Sequence, residues 1–316
     1  MAANACERLA RSSKAKVVQR IMWVCCGFCT EIPALFEDED DDEDEHEGAF
    51  LILQFILLLI VISMQPFWIY PALFLTGVCA GFVDSIAGGG VLITVPVLLS
   101  MGLSPTDALG TNKLQSSFGS ASATFHYTRA GLVRWRDCRD GIIAVSLSAV
   151  FGSLVVSRID PRYLRQAIPV LLIAIAIYLL FRPKLGATES RPRMALLPFN
   201  IGLGLVLGFY DGLFGPGTGT FWAMAYVVLL GFDLRRATAH TKVMNFTSNI
   251  GSLMVFLATH HVLFDAGIVM GIGQLVGARL GAGAVIERGT EFIRPIFISV
   301  VILISIKLLY QSLRGL

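Results

Sequence analysis

Gly81-Phe82-Val83-Asp84-Ser85-Ile86-Ala87-Gly88-Gly89-Gly90 and Gly208-Phe209-Tyr210-Asp211-Gly212-Leu213-Phe214-Gly215-Pro216-Gly217 are one pattern written twice, 127 positions apart, with five of the ten residues identical. Both copies close a long apolar segment. An acidic residue and a glycine-broken helix are costly there, because buried charges and unbonded backbone groups find no water. Their recurrence points to a site and to a chain made of two homologous halves. Allowing for two inserted residues, the correspondence continues at a spacing of 129 through Gly102 and Gly231, Ala108 and Ala237, and Lys113 and Lys242.

Composition sets the environment of that pattern. The 316 residues are 55% hydrophobic and only 15% charged, with a mean hydropathy of +0.70, more apolar surface than a water-soluble domain of this length can bury. Membrane-spanning helices need about 20 apolar residues each. Segments near 66–87, 139–157, 163–181, 196–214, 265–286 and 293–313 meet or approach that length. The expected fold class is an all-α membrane protein, a polytopic helical bundle of two homologous, inverted repeats with broken or short helices at the centre.

Each half reads as five segments, at 66–87, 90–101, 104–128, 139–157 and 163–181, then near 196–214, 217–230, 234–259, 265–286 and 293–313. The expected domains are an acidic, disordered extension over 1–47, a hydrophobic extension over 48–65, a first membrane repeat over 66–182, a cytoplasmic linker over 183–193 and a second repeat over 194–316. Nine consecutive acids, Glu37 to Glu45, repel one another and cannot build a core. Residues 49–63 are either a further span or dispensable, and Met64 directly precedes the first repeat helix, so a product starting there would contain both repeats.

The short runs at 90–101 and 217–230 cover only about 20 Å at 1.5 Å per residue, too little to cross alone. Glycine-interrupted short segments at matching places in two repeats mark transporter binding sites, because half-helices aim their N-termini at an anion near the midplane. Gly88, Gly89 and Gly90 open the first short helix, and Gly215 and Gly217 the second. Downstream, Asn112, Lys113 and Gln115 in one half, and His240, Lys242, Asn245, Ser248 and Asn249 in the other, put cations and amides inside apolar helices. Lysines supply positive charge, and amides and hydroxyls donate to oxyanion oxygens. These residues are the expected substrate contacts, and a small anion is the expected ligand. Asp84 and Asp211 either cap the short helices or couple transport to protons.

Both motifs, followed by Gly110-Thr111-Asn112-Lys113-Leu114-Gln115 and by Ala237-Thr238-Ala239-His240-Thr241-Lys242-Val243-Met244-Asn245-Phe246-Thr247-Ser248-Asn249, resemble the TauE/SafE sulfite exporter and sulfonate-uptake permease family, in its YfcA-like branch. The resemblance spans about residues 64–313 and does not reach the first 63. It implies a multi-pass permease of the bacterial inner membrane for small sulfur-containing anions such as sulfite or organosulfonates, working in the lipid bilayer.

Other classes fit less well. A net charge of +2 without a basic, aromatic-interleaved stripe gives no reason to expect nucleic acid. Cys25, Cys26 and Cys29 lack the second ligand pair of a tetrahedral metal site, so neither metal nor cofactor is expected. No strand precedes Gly88-Gly89-Gly90 and no Gly-Lys-Ser/Thr follows it, which removes a nucleotide loop. Neither H-E-x-x-H nor G-x-S-x-G occurs, so an enzyme is not expected. An anion channel is the alternative, and saturable, gradient-driven accumulation separates the two. A homo-oligomer is compatible with the sequence. If each repeat crosses an odd number of times, the links 129–140, 182–193, 232–236 and 287–294 share a side and hold twelve Arg and Lys residues against five opposite. The positive-inside rule then makes that side cytoplasmic and the repeats inverted. If the short runs are re-entrant, the repeats are parallel and the tally is ten against seven.

Overall fold

A computed structural model describes residues 68–180 and 191–288. The two leading extensions, residues 183–190 of the linker and the segment at 293–313 lie outside the described residues. Nine helices occur among the described residues: α1 Ile69–Ala87, α2 Val91–Ser100, α3 Pro105–Arg129, α4 Trp135–Val156, α5 Pro161–Leu180, α6 Leu196–Leu213, α7 Thr218–Leu230, α8 Leu234–Ala258 and α9 Phe264–Arg288. Four of them, α1, α4, α6 and α9, are long and apolar enough to cross a membrane. α2 and α7, with 10 and 13 residues, are too short.

The distribution of side chains is that of a protein solvated by lipid. Ile143, Leu147, Phe151 and Leu154 of α4, and Ile268, Ile272, Leu275, Val276 and Leu280 of α9, are exposed. The most polar helices are inside: α3 buries Thr111, Asn112, Lys113, Gln115, Ser116, Ser117 and Ser120, and α8 buries Thr241, Lys242, Asn245, Ser248, Asn249 and Ser252. Apolar surface has no reason to leave lipid, whereas polar groups must find partners within the bundle.

The halves interlock rather than stand side by side. α1 packs along α9, α6 along α4, and α3 and α8 cross between them. Glycines make the long seams possible. A methyl group on Gly81 would lie 2.5 Å from the Gln274 carbonyl oxygen, and one on Gly212 would meet the backbone of Ala149 at 2.8 Å. With no hydrophobic drive between helices in lipid, such backbone proximity supplies the dispersion contacts that hold them.

Repetition extends to single hydrogen bonds. Ser104 accepts from the Asp107 N–H at 3.1 Å to start α3, and Asp233, 129 positions on, accepts from Arg235 and Arg236 at 2.9 and 3.1 Å to start α8; both are ordinary N-caps. After α3, Gly131 N–H donates to Thr128 and Leu132 N–H to Tyr127, each at 3.0 Å. After α8, His260 N–H donates to Leu257 and His261 N–H to Phe256, at 3.2 and 2.9 Å. Gly131 has φ +73° and its counterpart His260 φ +58°. A side chain in the left-handed region costs about 1–2 kcal/mol, against about 0.5–1 kcal/mol of extra chain entropy lost by glycine. His260→Gly is therefore expected to stabilise the protein by roughly 0.5 kcal/mol, seen as a small rise in melting temperature in detergent; a fall would contradict it.

Candidate functional site: two crossed lysine–aspartate pairs

α1 ends because Gly88, at φ +75°, turns left-handed while its N–H donates to the Asp84 carbonyl at 2.9 Å. α6 ends one residue earlier relative to the motif, and Gly215, at φ +91°, makes the matching turn. The two breaks meet. A Cβ on Gly88 would lie 2.5 Å from Gly219 Cα and 2.8 Å from Thr220 N, so the glycine entries of α2 and α7 approach backbone to backbone. Gly89, Gly90 and Gly217 are buried with them.

Each aspartate is held by the lysine of the other half. Lys113 of α3 reaches Asp211 of α6, with Nζ 3.0 Å from Oδ1 and 2.6 Å from the Asp211 carbonyl oxygen. Lys242 of α8 reaches Asp84 of α1 in the same manner, 3.0 Å from Oδ2 and also donating to the Asp84 carbonyl oxygen. At the second break the Gly215 N–H turns to the Tyr210 carbonyl and leaves that of Asp211 to Lys113, whereas the Asp84 carbonyl accepts Lys242 beside the Gly88 N–H, a carbonyl oxygen having two lone pairs. Ser248 donates to Asp211 Oδ2, and Gly90 N–H lies 3.3 Å from Asp84 Oδ1. Asp84 thus accepts from the N–H just ahead of α2 as well as pairing with Lys242.

The four formal charges sum to zero. Both ammonium groups are neutralised. The pairs are not equally sealed: side-chain exposure is 2% for Lys113 and 6% for Asp211, but 0% for Lys242 and 15% for Asp84. Asp84 is the carboxylate that a visitor could reach.

The amides form two groups. Asn249 accepts from Lys113 Nζ at 3.4 Å and donates to Ser120, its own counterpart in the first half, at 3.3 Å. Asn112 Oδ1 accepts from Thr94 of α2 at 2.6 Å, from Gln115 Nε2 at 2.7 Å and from Ser116 at 3.4 Å. Asn245 has its amide nitrogen beside Gly219, where a Cβ would come within 2.9 Å of it, and its Oδ1 is unpartnered among the described residues.

His240 does not belong with them. Its Nδ1 lies 2.9 Å from the Arg236 carbonyl oxygen, its Nε2 lies 3.5 Å from the Arg134 N–H, and its ring packs on Tyr226 and Phe232 at centroid distances of 5.6 and 5.1 Å. Thr111, 129 positions earlier, accepts from the Leu263 N–H at 2.9 Å, and Leu263 is the counterpart of Arg134. His240 therefore ties a loop to a helix as Thr111 does. Both ring nitrogens face backbone groups, away from the lysine–aspartate pairs' own hydrogen bonds.

Thr94, Ser120 and Gln274 were not singled out by the sequence. Thr94 and Ser120 carry no signal in one sequence, being ordinary small polar residues of helices. Gln274 does, as an uncharged amide amid the small and apolar residues of α9.

A family model described as sulfite exporter TauE/SafE matches residues 73–308. The chain is 45% identical over 240 residues to the probable membrane transporter protein YfcA of Escherichia coli strain K12, covering 76% of this chain and 89% of that one. It is 44% identical over 240 residues to a probable membrane transporter protein of Haemophilus influenzae, covering 76% and 94%. A probable membrane transporter protein of a Sinorhizobium species, ORF9, is 42% identical over 243 residues, covering 77% and 93%. No solved structure matches the chain.

Proposed function

We propose that this chain, which belongs to the TauE/SafE sulfite exporter family, is a secondary permease of the bacterial inner membrane that binds a small sulfur-containing oxyanion, sulfite or an organosulfonate, by exchanging it for an aspartate carboxylate on a buried lysine. The observation that carries this reading is the pair of crossed contacts, Lys113 with Asp211 and Lys242 with Asp84, each at 3.0 Å. An anion added to a charge-neutral quartet in a low-dielectric interior leaves one uncompensated negative charge, at several kcal/mol. Displacing Asp84 from Lys242 gives the anion its cation, and a proton taken up by the freed carboxyl restores neutrality. The cycle then carries one proton with each negative charge.

Gly88, Gly89, Gly90, Gly215, Gly217, Asn112, Gln115, Asn245, Ser248 and Asn249 line this region in our reading. Support comes from their placement on the broken elements or on α3 and α8, the helices that carry the lysines. Repeats over 66–182 and 194–316, joined by a cytoplasmic linker over 183–193, are read as inverted. The exchange of partners is what a pseudo-twofold between the halves produces, and the Arg and Lys tally of the links favours the in-plane axis.

Proteoliposome counterflow tests the reading with sulfite, 2-hydroxyethanesulfonate, ethanesulfonate, sulfate and acetate. Saturable counterflow of a sulfur oxyanion is expected, with uptake accelerated by an inward proton gradient. In Asp84→Asn, exchange should persist while acceleration by the gradient disappears. Absence of counterflow for every anion, or gradient acceleration undiminished in Asp84→Asn, removes the exchange mechanism.

A further inference from the structure

Gln274 sits midway along α9 with its side chain buried, and neither its Nε2 nor its Oε1 has a hydrogen-bond partner among the described residues. Its backbone backs onto Gly81, one turn before Asp84, and its side-chain oxygen lies against Gly119 of α3, where a Cβ would collide with it. One turn before Gly119 on the same face of α3 is Gln115, whose Oε1 is also unpartnered, and Gln115 in turn donates to Asn112, whose Nδ2 is unpartnered. Two free amide donors and two free amide acceptors thus gather between α3 and α9, beside the region that holds Asp84.

Among the described residues the symmetry-related side leaves amide oxygens unpartnered on Asn200 and Asn245 but no buried amide N–H. The counterparts of Asn112, Gln115 and Gln274 at the 129 spacing are Thr241, Met244 and Val145. Thr241 is satisfied by the Ala237 carbonyl at 2.8 Å, and Met244 and Val145 pack in an apolar cluster with Phe199, Trp222 and Tyr226. The charged pairs obey the internal symmetry, and the free amide N–H groups of Asn112 and Gln274 break it. An amide buried without a partner is destabilising wherever it stands, so three together on one side ask for a ligand.

We infer that Gln274, with Gln115 and Asn112, forms an amide subsite between α3 and α9 that contacts the permeant anion and selects one carrying a hydrogen-bond donor as well as acceptor oxygens. The inference rests on the anion-transport reading above. Free N–H groups on Asn112 and Gln274 match sulfonate or sulfite oxygens, and free C=O groups on Gln115 and Gln274 match a hydroxyl, ammonium or acid proton. A site that hydrogen-bonds a substrate hydroxyl rejects the analogue lacking it, because its own polar groups are then left unpaired.

The test compares wild type with Gln274→Leu and the more flexible Gln274→Met, reading transport and detergent melting temperature together. The probes are sulfite, 2-hydroxyethanesulfonate and ethanesulfonate. The expected result is that KM for the best-transported probe rises at least about tenfold, any preference for 2-hydroxyethanesulfonate over ethanesulfonate falls to within about twofold, and the melting temperature holds or rises, since a buried unpaired amide has been replaced by an apolar group. Unchanged KM in whichever variant folds, with a raised melting temperature, would show an idle buried amide and overturn the subsite. A melting temperature that drops sharply in both variants makes Gln274 a structural partner and overturns it equally. Wild type that transports none of the three probes instead defeats the anion reading itself, and the subsite with it.

Discussion

Lys113→Met is expected to lower stability by about 3–5 kcal/mol, because it leaves Asp211 buried without its cation. For a chain of this size that corresponds to a melting temperature roughly 10 °C lower in detergent, at 2–4 °C per kcal/mol. Adding Asp211→Leu should return most of the loss, since an apolar pair of similar volume replaces two charges whose desolvation cost rivals their attraction. The bond that Ser248 gives Asp211 is sacrificed in the double variant, which limits the recovery. Transport should be absent in the single and double variants alike, the latter despite its recovered fold. That split separates the pair's part in folding from its part in the transport cycle. A double variant that is stable and still transports would show that the cycle does not need this pair, and one as unstable as Lys113→Met would make the pair a folding element alone.

Gly88→Ala is expected to be among the more damaging single-methyl changes, since strain and collision act together. The residue has φ +75°, and its added carbon would fall 2.5 Å from Gly219 Cα, where apolar carbons rest at about 3.5–4.0 Å. The left-handed strain alone is about 1–2 kcal/mol. Forcing backbone from backbone adds about 1–3 kcal/mol, and neither wall is a side chain that could swing aside. Gly102→Ala is the control, with φ +86° and nothing within 4 Å of the added carbon, so that only the strain remains. Gly88→Ala should therefore melt roughly 4–8 °C below Gly102→Ala, and its folded fraction should not transport, because parting the turns also moves Asp84 relative to Lys242. Equal melting temperatures would mean that the two breaks do not touch.

The helices were legible because lipid imposes a simple code. An expected segment at 196–214 became Leu196–Leu213, and one at 234–259 became Leu234–Ala258, since length and hydropathy fix spans while Gly88, Gly102, Gly215 and Gly231 mark the stops. The first-half start was less clear at α4, expected at 139 but beginning at Trp135. Arg136, Asp137 and Arg139 look like loop in a hydropathy reading, yet Asp137 is used in the helix, pairing with Arg236 at 3.1 Å.

The candidate site was only half legible. Repetition drew the eye to Asp84, Lys113, Asp211 and Lys242, but His240 entered with them on spacing alone, and its ring proved to serve a loop. Gln274 carries no such mark, because its counterpart in the first half is Val145.

What the sequence determined by itself is a lipid-solvated bundle of two like halves with a broken helix and a buried charge in each, because hydrophobicity, glycine and charge act locally and are additive along the chain. Which charge meets which was decided by the tertiary structure. Lys113 lies nearer in sequence to Asp84 than to Asp211, yet the helices interlock so that each lysine neutralises the aspartate of the opposite half, and proximity in space, not along the chain, sets an electrostatic energy.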